Sequence, residues 1–567
     1  MKKIILLAIS AIVAANISAH EKQECEGKQL SKEQRVEMQI RHLTDELMLS
    51  DKQAANFAVT FREYSQELDK LFEKGCPRGK ACKAEDVAEK DVREEERPSF
   101  HLSARVGWMN DPNGFCFYKG QYHLFYQYYP YKSRWDSMHW GHVVSSDLLH
   151  WEYLPAVLAP DRYYDQDGVF SGSAIELPDG QLLLMYTGVR ATDRTERPYK
   201  EVQTQCIAVG DGIDFEKYGK NPVLDENDLP AGASRQDFRD PKMLRLKDGR
   251  LAAIVANRPA DGSGQILLYI SEDGYSWKYE TILAENRNRF GKMWECPDFF
   301  ELDGKQVLLV SPQDMLPQGY EYHSGNGTLC LIGHYDETRL RFEEEYNQAI
   351  DYGIDFYAPQ TVLTPDGRRV MIGWMQNWDA CAIRSEEAPW AGQMSLPREI
   401  HIRDGRLYQW PIREFDALRH DRVEYKGVEV SEEKVCLDGI SGRMVDMEIR
   451  VRPKDPASSY NKFVIRFAEE GETCTSIRYR PHESTLKIDR KFSGSRRAIL
   501  HQRRCFVEDA EKELKLRIIL DRYSCEIFID GGRKVMTAGL YTEQSAKKIS
   551  FRADGNVVMD ITKYSIM

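Results

Sequence analysis

The sequence predicts an all-β protein: a five-bladed β-propeller followed by a C-terminal β-sandwich, with a short α-helical N-terminal extension. Three observations lead there. An acid in a turn, followed by a large aromatic, recurs at near-equal intervals between about residues 99 and 415. Beyond about 415 that motif stops, and strand-like runs alternate with hairpin signals. Ahead of it, residues 20 to about 97 space their apolar side chains by three and four, the period of an amphipathic helix.

At 567 residues the chain is too long for one ordinary core, so two or three domains are expected. It begins Met1-Lys2-Lys3, continues in an apolar run from Ile4 to about Ile17, and reaches a small residue at Ala19. That is the layout of an export signal, cut near Ala19. The run is too short for a comfortable transmembrane span, and no later stretch approaches one. Cys25 lies behind Lys22-Gln23-Glu24, which is not the small-residue setting of a lipid-modified cysteine.

In the extension, Ser31-Lys32-Glu33-Gln34 is a capping-box pattern followed by Val36, Ile40, Leu43 and Leu47. Ser50-Asp51-Lys52-Gln53 starts a second, followed by Phe57, Phe61, Tyr64, Leu68 and Leu71. Two helices are expected, then a charged linker from Ala84 to Arg97. Leu43-Thr44-Asp45-Glu46-Leu47 and Leu49-Ser50-Asp51-Lys52-Gln53 resemble the LTxxQ repeats of small bacterial periplasmic chaperone-like proteins, which points to a Gram-negative source and a periplasmic or secreted protein. The partner of this extension is not readable. Cys76 and Cys82, around a Pro/Gly loop, are the expected local disulfide, whereas Cys116, Cys296 and Cys525 sit in apolar strand patterns and read as buried thiols.

The repeat appears as Asp147-Leu148-Leu149-His150-Trp151, Asp211-Gly212-Ile213-Asp214-Phe215 and Asp273-Gly274-Tyr275-Ser276-Trp277, with a weaker copy from Asp336 to Phe342. Trp151, Phe215, Trp277 and Phe342 are separated by 64, 62 and 65 residues. Short strands repeating at that length suggest propeller blades, and roughly 315 residues hold about five of them. Three near-equal intervals favour blades over coincidental turns in an ordinary sandwich. Past 415, Arg443 to Val451, Lys462 to Ala468 and Leu514 to Leu520 read as strands, and Asp521 to Gly532 as strand, turn and strand, giving a sandwich of two antiparallel sheets. The expected division is 1–19 signal peptide, 20–97 extension, 98–415 propeller and 416–567 sandwich.

A formal net charge of -12 argues against nucleic acid or an anionic membrane as partner. His139 and His142 are two apart, with His150 nearby, but no Cys pair or HExxH helix accompanies them. Structural or substrate-contacting roles are the reading, and no metal or cofactor is expected. Acids concentrate in three motifs instead: Trp108-Met109-Asn110-Asp111-Pro112-Asn113-Gly114, Arg239-Asp240-Pro241 and Trp294-Glu295-Cys296-Pro297-Asp298. Each alone is also good turn chemistry. Together they supply what hydrolysis of a glycosidic bond needs: two acids in different roles and a third to steady developing charge.

These motifs resemble those of glycoside hydrolase family 32, the invertases, inulinases and levanases. So do Phe125-Tyr126-Gln127-Tyr128-Tyr129-Pro130, Trp140-Gly141-His142, Phe170-Ser171-Gly172-Ser173, Asp355-Phe356-Tyr357-Ala358 and Gly373-Trp374-Met375-Gln376-Asn377-Trp378. The resemblance spans about residues 99 to 567, and the family's fold is a five-bladed propeller followed by a sandwich. It implies an enzyme that cleaves β-fructofuranosyl linkages of levan, inulin or sucrose, with a fructose-containing oligo- or polysaccharide as its partner.

By the same matching, Asp111 resembles the nucleophile, Glu295 the general acid and base, and Asp240 the transition-state stabiliser. Asn110 and Gln127 resemble residues that bind fructosyl hydroxyls. Trp135, Phe170 and Trp374 resemble the aromatic wall, with Ser171 a polar contact. Arg239 is expected to pair with an acid or a substrate hydroxyl, and Tyr357 to line the pocket near the acid. Tyr129 departs from the family, which has Asn before the proline; this puts specificity in doubt more than activity.

A nucleophilic carboxylate also serves as counter-charge to an oxocarbenium-like state, while the acid must stay protonated, which burial or neighbouring carboxylates favour. A retaining enzyme is expected to hold the Asp111 and Glu295 carboxyls roughly 5–6 Å apart. Exo action is expected. Fructosyl transfer through the same site, or a fructan-binding protein without catalysis, remain as alternatives.

Overall fold

The computed structural model of the protein describes residues 92–193, 200–380, 388–494, 500–508 and 513–567. The expected signal peptide, the two extension helices and the Cys76–Cys82 pair lie outside these. The described chain opens with one 3-10 turn, Glu94–Glu96. Among the described residues no helix is long and apolar enough to cross a membrane.

The described residues form seven sheets, five of them blades. Blade I holds Gly107–Tyr118, Gln121–Tyr129, His139–Ser145 and Glu152–Leu158; blade II holds Gly168–Glu176, Leu182–Asp193, Lys200–Gly210 and Phe215–Lys217. Blade III runs from Phe238–Arg245 through Leu251–Asn257 and Gln265–Ser271 to Lys278–Glu285. Blade IV has Trp294–Leu302, Lys305–Pro312, Leu329–Asp336 and Arg341–Ala349, and blade V has Tyr357–Leu363, Arg369–Trp374, Arg398–Arg403 and Arg406–Pro411. Within each blade the strands pair antiparallel in chain order. The first is innermost, and each innermost strand packs on that of the next blade, the fifth returning to the first. The ring is also closed by hydrogen-bonded strand pairing late in the chain: Trp390–Ala391, beyond the second strand of blade V, pairs in parallel with Gly107 and Trp108 of blade I.

Apolar residues weld neighbouring blades. Phe125 and Trp140 meet Tyr186 between blades I and II; Met185 and Ile207 meet Val255 and Leu267 between II and III; Phe300 and Leu309 meet Met371 and Ile400 between IV and V. Each such buried side chain contributes roughly 1.5–3 kcal/mol, so the ring is held by faces rather than by its hairpins.

The 64-residue repeat has a definite place. It is the turn into the outermost strand of blades I to IV. In each copy one carboxylate oxygen accepts from the backbone N–H two and three residues on: Asp147 from Leu149 and His150, Asp211 from Ile213 and Asp214, Asp273 from Tyr275 and Ser276, Asp336 from Thr338 and Arg339. These are Asx turns, which is why an acid recurs there. Blade V makes the corresponding connection with Asp404-Gly405, both left-handed, and needs no such acid.

The remaining two sheets face one another. One has six strands, beginning with Arg419–Val430 and including Val445–Pro453, Leu514–Asp521, Ser524–Ile529 and Lys534–Gly539; the other has five, among them Lys462–Glu470, Thr473–Arg480 and Thr485–Phe492. Met447, Ile518 and Ile527 from the first and Ile465, Ile477 and Ile488 from the second fill the space between.

Polar groups stitch sandwich to propeller. His101 lies between Asp521 (2.8 Å) and Glu526 (3.0 Å), all fully buried. Glu526 also accepts from Arg398 of blade V at 2.6 Å, and Arg398 reaches Asp351 at 3.1 Å.

Candidate active site

The five innermost strands share one irregularity at one level. Each loses register with its neighbour: at Asn110-Asp111, Ser171, Asp240-Pro241, Cys296-Pro297 and Ala358-Pro359. A bulge adds a residue without a ladder partner and re-aims the side chains beside it. Proline is tolerated there because the ladder has already lost that N–H. Asp240, Cys296 and Ala358 take left-handed backbone angles, φ 61°, 48° and 50°. For residues with a β-carbon this costs on the order of 1–3 kcal/mol each, and such strain collects at functional sites. Blade II uses Gly172 instead, where an added β-carbon would stand 1.9 Å from the carbonyl oxygen of Met185.

The bulges bring Asp111, Asp240 and Glu295 together around Cys296. The Cys296 sulfur is 3.5 Å from Asp111 Oδ2 and 3.6 Å from Asp240 Oδ2, and its backbone N–H donates to the same Asp240 oxygen at 2.9 Å. Ser171 donates to Asp111 Oδ2 at 2.9 Å. Arg239 Nε donates to Glu295 Oε1 at 3.0 Å, and the Tyr357 hydroxyl meets Oε2 at 2.6 Å. Asp237 and Gln203 hold the other face of the Arg239 guanidinium, at 2.9 and 3.3 Å. Asp111 and Asp240 are 9% and 6% exposed, so the cluster is almost wholly buried.

Burial raises the Asp111 carboxyl, with Asn110 opposing and the Glu295 charge adding to the rise. Burial likewise raises Asp240, the Arg239 charge opposing and the charges of Glu295 and Asp111 reinforcing. Arg239 stays a cation: burial works against it, but Glu295, Asp240 and Asp237 more than compensate. Asp111 and Asp240 thus hold a proton more tightly than a lone carboxylate does. The Cys296 thiol is pushed far up, by burial and then by Asp240 and Asp111, so it is a donor here and not a nucleophile.

The predicted shell is placed unevenly. Asn110 sits beside Asp111, its Oδ1 accepting from the Trp108 indole at 2.8 Å. Gln127 is buried and donates to the Val169 carbonyl at 3.0 Å, which ties blade I to blade II. Trp135 is 44% exposed and packs edge-on to Phe170 and Trp378. Trp374 was expected in the wall, but it is fully buried, between Trp108 and Trp378, and offers no face; it backs the wall instead. Its place is taken by Trp378, four residues on in the same motif.

Sequence reasoning did not reach Cys296 as a contact of two acids, nor Asp237, Gln203 and Trp378. The Cys296 position was legible only as an apolar strand residue, and Asp237 only as a neighbour of Arg239. Among the described residues no group of three His, Cys, Asp or Glu side chains is arranged to hold a metal. His142 stacks on Phe125 and His123, with His123 Nδ1 at 3.1 Å from its Nε2.

The chain matches the family model "Glycosyl hydrolases family 32 N-terminal domain" over residues 101–411 and "Glycosyl hydrolases family 32 C terminal" over 414–567. It is 36% identical to a raffinose invertase of Escherichia coli over 474 residues, 82% of this chain and 93% of that protein. It is 34% identical to an Escherichia coli sucrose-6-phosphate hydrolase over 468 residues, with the same coverage of each. A Bacillus subtilis levanase is 31% identical over 500 residues, 83% of this chain and 70% of that protein. Among solved structures, a Bombyx mori GH32 beta-fructofuranosidase superposes with a TM-score of 0.72 at 32% identity, covering 85% of this chain and 97% of that one.

Proposed function

The chain belongs to glycosyl hydrolase family 32 and is a β-fructofuranosidase, and from that premise we propose that it removes terminal β-fructofuranosyl units by a retaining, two-step mechanism. Asp111 attacks the anomeric carbon and forms the fructosyl-enzyme ester. Glu295 protonates the departing oxygen, then takes a proton from the water that releases fructose. Asp240 stabilises the oxocarbenium-like state and holds ring hydroxyls.

One observation carries this reading: the three acids converge on Cys296 with different partners. Asp111 meets small donors, Ser171 and the thiol. Glu295 has an arginine on one oxygen and a phenol on the other. Asp240 is fixed by a backbone N–H on a strained bulge.

The depth of the acids supports exo action, since a chain end reaches them and a chain middle does not. Trp135 with Phe170 and Trp378 supports stacking of the sugars beyond. Arg134, next to Trp135 in sequence, and Arg258, which shares Asp237 with Arg239, are bound to Asp136 and Asp237 at 2.9 and 2.8 Å. Cations already neutralised favour an uncharged fructan or sucrose over a phosphorylated sugar. Export to the periplasm or medium is part of the proposal and rests on Met1 to Ala19.

The test is a product time-course on levan, inulin, sucrose and sucrose 6-phosphate, with the anomer of the first fructose released followed by NMR. From levan and inulin, fructose alone from the start is expected, and from sucrose equal amounts of glucose and fructose, with the fructose released as the β-anomer. A ladder of oligosaccharides overturns exo action, an α-anomer overturns retention, and preference for the phosphorylated sugar overturns the substrate reading.

A further inference from the structure

The acid/base carboxylate is held by a residue whose own position is set in the other domain. Tyr357, at the start of the innermost strand of blade V, puts its hydroxyl 2.6 Å from Glu295 Oε2 and 3.0 Å from the Ser311 carbonyl oxygen. One phenol hydrogen cannot serve both. With Glu295 ionised, it goes to the carboxylate; with Glu295 protonated, the phenol oxygen accepts from the acid while its hydrogen turns to Ser311. Such an exchange tolerates little movement of the phenol.

The segment leading into Tyr357 is built onto the sandwich strand Lys534–Gly539. Tyr352 N–H donates to the Val535 carbonyl at 2.8 Å, and Ile354 and Asp355 N–H to that of Thr537 at 2.7 and 3.0 Å. Thr537 N–H returns a bond to Asp351 at 2.9 Å. Gly353 allows this approach, for an added β-carbon would lie 2.1 Å from the Thr537 nitrogen. Two residues before Tyr357, the Asp355 carboxylate is gripped by both terminal nitrogens of Arg490 and by Gly539 N–H at 2.7 Å. Arg490 lies on the five-stranded sheet, in Thr485–Phe492, and is as fully buried as Asp355. Its remaining contacts are the Gly539 and Leu500 carbonyls, and its guanidinium lies over the Tyr541 ring. A buried bidentate pair is costly to assemble and rigid once made.

We propose that Arg490 of the β-sandwich is a positioning residue for the reaction: by clamping Asp355 it fixes the Tyr357 phenol against Glu295, so the second domain sets the geometry of proton transfer. This rests on the assignment of Glu295 as acid and base. The sandwich thereby acts in catalysis without touching substrate, and the effect runs through a single phenol.

The experiment is a double-mutant cycle on the full chain with Arg490→Met and Tyr357→Phe, using sucrose and an aryl β-fructofuranoside with a good leaving group. Arg490→Met is expected to lower kcat on sucrose about 10- to 100-fold with little change in KM. It should also move the alkaline limb of the pH–rate profile upward, because a donor to the ionised acid is loosened. In the Tyr357→Phe background the same change should do almost nothing further, and Arg490→Lys should restore part of the loss. The aryl substrate, which needs less proton assistance, should be less affected in its first step.

Asp355→Asn gives an independent variant of the same pair should Arg490→Met not fold, and thermal unfolding verifies each protein. Equal losses in both Tyr357 backgrounds, or a lowered Tm with an unmoved pH profile, overturn the clamp and leave Arg490 a merely structural residue. Glu295→Gln with undiminished turnover on sucrose overturns the acid/base assignment itself, a result distinguishable from failure of the clamp.

Discussion

The backbone N–H of Cys296 donates to Oδ2 of Asp240 at 2.9 Å, so a bulge in blade IV fixes an acid of blade III. The donor is part of the fold and costs no reorganisation when charge develops in the sugar ring. Asp240→Asn keeps an oxygen for that N–H, removes the negative charge and turns the second oxygen into an NH2 donor. Turnover should therefore fall by roughly 10²–10³-fold with KM changed little, since the lost interaction is made mainly in the transition state. Steady-state kinetics on sucrose, with circular dichroism as a fold control, measure it; a variant with near-native kcat would deny Asp240 the stabilising role.

Trp135 stands out from the ring, and its neighbours Phe170 and Trp378 leave a ring face for a sugar to cover. Stacking beyond the first fructosyl unit matters more for long substrates than for sucrose. Trp135→Ala should raise KM for levan or inulin oligomers about tenfold, the equivalent of ~1.4 kcal/mol, and leave kcat on sucrose nearly unchanged. Equal effects on both substrates would place Trp135 in the innermost subsite instead.

Two repeats run through the propeller, and only one was legible as a repeat. The acid-turn motif could be read because an Asx turn takes Asp or Asn, here Asp each time, at a fixed spacing, and because large aromatics follow it. It marks the rim of four blades; the fifth closes with Asp404-Gly405 and gives no signal. The second repeat lies at the axis: the ladder skips two residues at Asn110-Asp111, Asp240-Pro241, Cys296-Pro297 and Ala358-Pro359, in four blades. Proline beside an acid reads in sequence as turn chemistry, whereas Pro241 and Pro297 sit inside the innermost strands at the point where the ladder breaks. The acids were legible by resemblance. Their meeting on one thiol was not, since Cys296 contacts residues 185 and 56 positions away. Trp374 and Trp378 show the limit of a motif, which names the aromatic wall but not which ring faces outward.

Gly172 tests the bulge of blade II. An added β-carbon meets the Met185 carbonyl at 1.9 Å, and relief requires parting the two inner strands beside Ser171. Gly172→Ala should destabilise the protein by about 2–4 kcal/mol or abolish soluble expression, by overpacking against backbone that cannot yield. Gly219→Ala is the control: nothing lies within 4 Å of its added β-carbon, so a change under about 0.5 kcal/mol is expected. Urea unfolding of both variants decides, and similar midpoints for the two would deny the bulge its steric requirement.

His101 makes stability fall on the alkaline side. Burial works against its charge, but hydrogen bonds and charges from Asp521 and Glu526 outweigh it and carry the imidazole from 6.5 to about 9. Both carboxyls are correspondingly held below their ordinary values, against burial, with His101 lowering each and Arg398 lowering Glu526 most. A folded-state value above the unfolded one means the protonated ring stabilises fully below pH 6.5, and that this is lost as pH rises through about 9. The loss is on the order of 3 kcal/mol, and it falls on the junction between propeller and sandwich, where Asp521 also accepts from the N–H groups of Ser99 and Phe100. Unfolding free energies measured between pH 6 and 9.5 should therefore decline for the native protein. His101→Gln keeps hydrogen-bonding capacity without the charge; it should be less stable at pH 6 and show a flatter slope. A slope unchanged in that variant would mean the alkaline loss arises elsewhere, and that the imidazole sits neutral between two carboxyls that share a proton.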